Sequence, residues 1–356
     1  MKLFISGDPH VNLGSYNHTT GEMCARRRGV VHTFAEGLTK AKEAGADCYV
    51  HTGDFVDGPL SSPNLTTPEQ WVMKNLIRRA LRSGLVIGKC PVGNHDIPKS
   101  RYTHKYGDFP TAWAMLTPTA KQLPNVHILN FCPNGQEAAE EQFEKVLKWA
   151  NVDTGAHHLF IAHHLFEGRL EFNMNSTPTH ENWFKRNWVS RIKKTLGKNV
   201  TIVLGHDHEP WEEKVHGIRV INVGSPTQMK VNDTFPRRFM TWEDGEIEFI
   251  PVNRGMKEVK VTELSDVPEG IDRVVLDIEV KTHDDEVKLR NLIDDLKARG
   301  VEYVDKTNLF KETTEITGVS AGMSISQSFK DYLEEQNLSN ELKEVATDLM
   351  VEMGML

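Results

Sequence analysis

Val92-Gly93-Asn94-His95-Asp96 follows the apolar run Leu85-Val86-Ile87 and precedes Pro98 and a polar segment, so it stands where a strand runs into a loop. Enzymes of the α/β class keep their chemistry at such strand ends. An amide oxygen, an imidazole and a carboxylate in consecutive positions supply a neutral metal ligand, a proton donor and a group able to orient that donor, and Gly93 lets the backbone turn tightly enough to present them. Alone, this stretch reads equally well as a polar turn. The same pattern repeated along the chain decides between the two readings.

Residues 2–6 read as a buried strand that delivers Gly7-Asp8-Pro9-His10. After a helix over about 23–44, with Val30, Val31, Phe34, Leu38 and Ala41 at three- and four-residue spacing, the strand Cys48-Tyr49-Val50 runs into Gly53-Asp54-Phe55-Val56-Asp57. Thr67-Pro68-Glu69 opens a second helix, and a strand near 85–90 then delivers Asn94-His95. Helices near 111–122 and 136–150 flank the strand Val126-His127-Ile128-Leu129. Leu159-Phe160-Ile161-Ala162 ends in His163-His164, and a basic helix at about 182–196 precedes Val200–Leu204, which ends in Gly205-His206-Asp207-His208. Five apolar strands therefore end in side chains able to bind metal.

Beyond His208 the strands shorten, at Trp211–Val215, Ile218–Val223, Arg238–Trp242 and Ile247–Val252, with Asp244-Gly245 a hairpin signal. A chain that begins α/β and finishes antiparallel is expected to form a two-sheet β-sandwich flanked by helices. This domain is expected to span 1–256. Residues 257–310 read as a small α/β capping domain, with a strand over Val274–Val280, a helix at 284–299 and a strand near 301–304. Residues 311–324 read as a linker, and 325–356 as a helical partner-binding segment whose Leu342, Val345, Ala346, Leu349, Met350 and Met353 share one face.

The composition, 38% hydrophobic and 26% charged, is that of a soluble globular chain, with neither a signal-peptide apolar region nor a membrane span, so a cytoplasmic location is expected. Cys24, Cys48, Cys90 and Cys132 are too widely spaced for a thiolate zinc site and are expected to be reduced. The net charge of −8 is uneven: residues 256–356 hold 12 Lys+Arg against 23 Asp+Glu, leaving 30 against 27 in residues 1–255. Basic residues in that first part clump at Arg26–Arg28, at Arg78, Arg79 and Arg82, at Lys185, Arg186, Arg191, Lys193 and Lys194, and at Arg237-Arg238. Such clumps suit either a phosphate backbone or a solvated helix face.

The candidate ligands are Asp8, His10, Asp54, Asn94, His163, His206 and His208. Mixed carboxylate, imidazole and amide donors suit manganese, iron or zinc in a site that is not a tetrahedral structural zinc. Seven donors are too many for one ion, whereas two ions sharing a bridging carboxylate account for them. Two such ions make hydrolysis of a phosphate ester the natural reaction, with His95 as general acid and Asp96 holding its ring. Asp57 reads as a hydrogen-bonding support and His164 as a buried neighbour or a substrate contact.

In order, these motifs resemble the set of the calcineurin-like metallophosphoesterases over roughly residues 3–210. The resemblance implies Asp8, His10 and His208 on one ion, Asn94, His163 and His206 on the other, and Asp54 between them. Within that superfamily the chain looks most like the SbcD-type (Mre-eleven-like) nucleases of double-strand-break repair, because Asn222-Val223-Gly224-Ser225-Pro226 resembles their Gly-Ser-Pro turn and the acidic domain and helical tail resemble their cap and partner-binding region. Phosphoprotein phosphatases fit less well: they carry arginine where this chain has Gly58 and usually glutamate in place of Asp96. One departure from the SbcD pattern is that Val11-Asn12 intervene between His10 and Leu13-Gly14.

The resemblance implies a manganese-dependent 3′ to 5′ exonuclease on duplex DNA and endonuclease on single strands. It further implies a homodimer working with an SMC-like coiled-coil ATPase of the SbcC (Rad-fifty-like) kind, away from membranes. The compact length suits a bacteriophage version, which would work in the host-cell cytoplasm. A small-molecule phosphodiesterase or phosphatase using the same metal site is the competing expectation.

Overall fold

The computed structural model describes residues 1–14, 23–57, 67–97, 112–150, 155–169, 182–229, 233, 235–264 and 267–309. The expected linker and C-terminal helix lie outside the described residues. In chain order the elements begin β1 (Leu3–Ser6), α1 (Ala25–Glu43), β2 (Cys48–His51), α2 (Thr67–Arg82), β3 (Val86–Ile87), α3 (Ala112–Leu116), β4 (Val126–Leu129), α4 (Gln136–Trp149) and β5 (His158–His163). They continue with β6 (Leu165–Phe166), β7 (Trp183–Phe184), α5 (Arg186–Leu196), β8 (Val200–Gly205), β9 (Trp211–Val215), β10 (Ile218–Asn222), β11 (Arg238–Glu243) and β12 (Glu246–Pro251). The last are β13 (Glu258–Val261), β14 (Arg273–Leu276), β15 (Glu279–Val280), α6 (His283–Ala298), β16 (Glu302–Asp305) and β17 (Asn308–Leu309).

Period-two alternation builds the layers. Leu3 and Ile5 of β1, Val50 of β2, Leu159 and Ile161 of β5 and Val203 of β8 fill the space between two five-stranded sheets. Their chain neighbours point outward. Phe4 and Tyr49 meet Phe34 and Leu38 of α1 and Met73 and Ile77 of α2, while Phe160, Ala162, Ile202 and Leu204 meet Phe143 of α4 and Trp188 and Ile192 of α5. The result is the expected sandwich flanked by helices. Trp188 stacks on Phe143 with ring centroids 4.3 Å apart, and truncating such a buried ring typically costs about 3–5 kcal/mol.

The first sheet has the order β12-β11-β1-β2-β3 and the second β4-β5-β8-β10-β9. β1, β2 and β3 run parallel, as do β4, β5, β8 and β10, so their carboxyl ends gather at one edge of each sheet. The late hairpins close both sheets. Asp244 and Gly245 take φ of 46° and 89°, the doubly positive turn that matches strand twist. A small parallel sheet, β13-β14-β16, carries α6 as the crossover from β14 to β16. The buried Glu258 carboxylate pairs with both Arg26 and Arg273, and the Gln228 side chain bonds both its backbone N–H and its carbonyl, which ties this sheet to α1 and the sandwich.

Several expected boundaries move. The strand near 85–90 shortens to two residues, and the helix at 111–122 shrinks to Ala112–Leu116 because Thr117 precedes Pro118 and leaves the helical region. The start of the basic helix near 182 is instead the short strand β7. The run Val274–Val280 breaks after Leu276, and Lys260 and Glu258 hid β13 among charged residues. Residues Met1–Ile278 and His283–Thr307 form one compact unit; the second contains Glu279–Thr282 and the chain from Asn308, its described part being the parallel pair β15 and β17. All four cysteines are free, and no helix among the described residues is long and apolar enough to cross a membrane.

His127 of β4 lies 3.1 Å from His158 Nδ1 and against the Phe160 ring. Burial, then the neighbouring His158, lower its pKa from 6.5 to about 4. The unfolded chain therefore takes up this proton before the folded one, so stability drains away as pH falls from 6.5 to about 4 and the loss levels off below that window. His127→Phe keeps the ring packing without the titration. Its urea midpoint is expected to fall less than that of the wild type across this window, and equal falls would exclude His127 as a source of acid sensitivity.

Candidate metal centre

Asp8 and His10 leave β1, Asp54 leaves β2, Asn94 follows β3, His163 ends β5, and His206 and His208 leave β8. All seven sit at the shared carboxyl edge. The glycines before them allow the strand ends to meet: a Cβ on Gly93 would lie 2.0 Å from Asp54 Oδ1, one on Gly53 2.3 Å from His163 Nδ1, and one on Gly205 2.4 Å from Asp8 Oδ1. These three glycines thus each make room for another motif's donor. Gly93 opens the expected tight turn, its carbonyl accepting the Asp96 N–H at 3.2 Å, and it is the close approach of Asp54 that leaves no room for a Cβ there.

Asp8, His10, Asp54 and His208 form one group whose donor atoms lie within 4.8 Å of one another, and Asp54, His163 and His206 form a second. Asn94 joins the second group, its Oδ1 3.0 Å from His163 Nε2, and His206 Nδ1 lies 3.1 Å from that same nitrogen. In the first group the Nε2 atoms of His10 and His208 approach to 3.2 Å. Asp54 belongs to both groups. Its Oδ1 accepts the His95 backbone N–H at 2.8 Å, while its buried Oδ2 accepts no hydrogen bond and lies 3.1 Å from His163 Nε2 and 3.8 Å from His10 Nε2.

Electrostatics fit this donor set to cations. Burial alone would raise the carboxyls of Asp8 and Asp54, but His163 outweighs it and holds both well below the ordinary carboxylate range. Burial lowers the His163 imidazole, yet Asp54 and Asp8 raise it well above its ordinary value. The cage therefore favours positive charge at its centre. His163 Nδ1 donates to the Thr52 carbonyl at 3.0 Å, which directs Nε2 into the group. His208 is pushed down to about 3 by burial and by His10, which keeps it a neutral lone-pair donor. The residues fit two divalent cations, with an orphaned carboxylate oxygen between the two groups.

The His95 ring has a different partner from the one its neighbours suggest. Asp57 Oδ1 lies 3.1 Å from His95 Nδ1, whereas the fully buried Asp96 accepts the backbone N–H groups of Gly93 at 3.0 Å and Val56 at 3.3 Å. Asp96 therefore pins the loop against the Asp54 segment, and Asp57 orients the imidazole. Consecutive side chains on this turning loop diverge, so the neighbour in sequence is not the partner of the ring. Burial works against a charged His95, but the bond from Asp57 and the nearby Asp54 raise its pKa.

Other supporting contacts, as distinct from the residues that make them, carried no sequence signal. Thr52 Oγ1 donates to Asp8 Oδ1 at 2.6 Å, and Ser225 Oγ donates to the Asp8 carbonyl at 3.0 Å. The intervening Val11-Asn12 bind this loop to the second motif: Val11 N–H donates to the Phe55 carbonyl, and the Asn12 amide bonds both the N–H and the carbonyl of Asp57. Asp207 lies off the donor groups, accepting the Trp211 indole N–H at 2.9 Å. His164 is buried beside Trp188, and burial with His163 pushes it down to about 3.

A sequence model of the calcineurin-like phosphoesterases matches residues 1–230. No curated protein sequence matches the chain significantly. Among solved structures, a dimetal phosphatase from Danio rerio aligns at 11% identity and TM-score 0.38, covering 71% of this chain and 99% of its own. A putative 5′-nucleotidase from Staphylococcus aureus aligns at 12% and 0.36, covering 82% and 58%, and an archaeal phosphodiesterase at 14% and 0.31, covering 70% and 99%. Likenesses this distant decide nothing about substrate.

The two carboxylates beside His95 separate by mutation. Asp57→Asn is expected to lower phosphoester turnover about 10- to 100-fold while leaving thermal stability near that of the wild type. Asp96→Ala, which strands two buried N–H groups, should cost about 1–3 kcal/mol or more of stability by urea unfolding. The reverse pattern would return the orienting role to Asp96.

Proposed function

The chain belongs to the calcineurin-like phosphoesterases, and within that family we propose that it is a metal-dependent DNA nuclease, the SbcD-type (Mre-eleven-like) subunit of a break-processing complex. Phosphoester hydrolysis with a two-cation site is what the family and the donor set carry, and the shared Asp54 carboxylate is the decisive observation. The DNA reading is supported by the Asn222–Pro226 turn, whose Ser225 is bonded to Asp8, and by the small sheet and acidic segment beyond the matched residues. A small-molecule phosphodiesterase or phosphatase would use the same donors.

A pair of divalent cations, for which we propose manganese on the mixed oxygen and nitrogen donors, supplies Lewis acidity to the phosphate and acidifies water. This chain's residues do the rest. Asp8, His10 and His208 would hold one cation, Asn94, His163 and His206 the other, and Asp54 both. A water, its proton released to solvent, would bond through oxygen to phosphorus as the P–O bond to the leaving nucleoside oxygen breaks, and His95 would be reprotonated from solvent afterwards. His95, with Nδ1 on Asp57 and its side chain 39% exposed, presents Nε2 to protonate that departing oxygen. Such general acid catalysis contributes about 10² to 10⁴ in rate.

Partners follow from the same reading: a homodimer bound to an SMC-like ATPase, with residues 325–356 as the docking segment. Manganese-dependent digestion of end-labelled duplex DNA, run beside a generic phosphodiester, tests the activity. His95→Asn is expected to retain two metals per chain yet lose cleavage; loss of metal in that variant would remove the general-acid assignment, and turnover of the small ester alone would select the competing reading. Deleting 325–356 should spare cleavage of short DNA and abolish co-purification with the ATPase, while undiminished co-purification would place the partner elsewhere.

A further inference from the structure

The four basic clumps differ in what they face. On α5 and beside it, Lys185 pairs with Glu140, Arg186 with Glu213 and Arg191 with Glu144, while Lys193 donates to the His216 carbonyl. Arg26 pairs with Glu258, Arg27 donates to the Gly14 carbonyl and Arg28 to that of Met23. Arg237 pairs with Asp233, and Arg238 lies over the Phe249 ring. These three clumps are largely committed within the protein. The clump on α2 is not: Lys74, Arg78, Arg79 and Arg82 are all exposed, and none forms an ion pair among the described residues.

Helical geometry puts Trp71, Lys74, Arg78 and Arg82 on one stripe, opposite the buried Met73, Ile77 and Ala80. Trp71 is 67% exposed, an unusual position for an indole. Successive cations at four-residue spacing stand about 6 Å apart along the axis, close to two nucleotide steps of about 3.4 Å along one strand. The helix C-terminus accounts for cations in the last turn, Arg79 and Arg82, but not for Lys74, Arg78 or the exposed ring. As the crossover between parallel β2 and β3, α2 starts at the edge that carries Asp54 and runs away from it.

We propose that this face of α2 is a nucleic-acid track, on which Lys74, Arg78 and Arg82 take every second phosphate along a strand and Trp71 stacks a base at the end nearer the metal centre. This assignment rests on the nuclease reading and adds where the strand lies. Stacking on an exposed aromatic beside a basic groove is how proteins hold single strands without reading sequence.

The test measures binding of labelled oligothymidine by the full chain in EDTA, across a salt series, beside manganese-dependent hydrolysis of bis-p-nitrophenyl phosphate. Lys74→Gln/Arg78→Gln/Arg82→Gln is expected to flatten the dependence of log K on log salt by about 2, at about 0.7 per phosphate, and Trp71→Ala to weaken binding about tenfold. Both variants should melt with the wild type and hydrolyse the small ester at its rate. If the wild type binds and cuts DNA and the variants match it in affinity and slope, the track is wrong and the nuclease reading stands. If the wild type turns over the ester but neither binds nor cuts DNA, the nuclease reading falls and takes the track with it. If the variants lose only salt-sensitive self-association in sedimentation, the face receives an acidic surface of a second copy and the proposal is overturned.

Discussion

A buried carboxylate with one oxygen left unsatisfied is the constraint on which the rest of this structure depends. Asp54 Oδ2 has no hydrogen-bond donor, and leaving such an atom dry is costly unless positive charge comes to it. Histidines from β1, β5 and β8 supply the surroundings, so both sheets must end at the same place. The sandwich provides this. Its parallel strands bring their carboxyl ends to one edge, and glycines at 53, 93 and 205 remove the Cβ atoms that would hold those ends apart.

Holding the donors there strains the backbone. His10, Asp54 and His206 adopt φ of 45°, 41° and 82°, where residues with side chains are uncommon. Such positions cost on the order of 1–3 kcal/mol each and persist only where surroundings over-determine them. The fully buried layer between the sheets, with Leu3, Ile5, Leu159, Ile161, Val203 and Ile221, is that surrounding. Stability built in the core is thus expressed as preorganisation at the edge.

The strand-end donors could be read from sequence because strand and polar motif are contiguous: Leu3-Phe4-Ile5 announces where Asp8 and His10 must emerge, and Val200–Leu204 does the same for His206 and His208. The layered fold was legible for the same reason, through alternation in β1, β5 and β8. What the sequence concealed is contact across motifs. Nothing local indicates that Thr52 bonds Asp8, that Ser225 reaches the Asp8 carbonyl, or that the His95 ring turns to Asp57 and away from its own neighbour Asp96. Clumps of like charge were equally ambiguous until their acidic partners, dozens of residues distant, came into view.

The loop after β2 unites functions that the sequence presents as separate motifs. Asp54 belongs to both donor groups, and three residues later Asp57 holds the His95 ring, while Asn12 clamps the Asp57 backbone from the first loop and Asp96 fixes the Val56 N–H from the third. The His95 imidazole is therefore registered to the carboxylate shared by both donor groups through one short, doubly anchored segment. A displacement of that segment would move the His95 ring and the shared Asp54 carboxylate together. The placement of the His95 ring relative to the two donor groups is then a property of the loop, which explains why three motifs use polar side chains to hold it still.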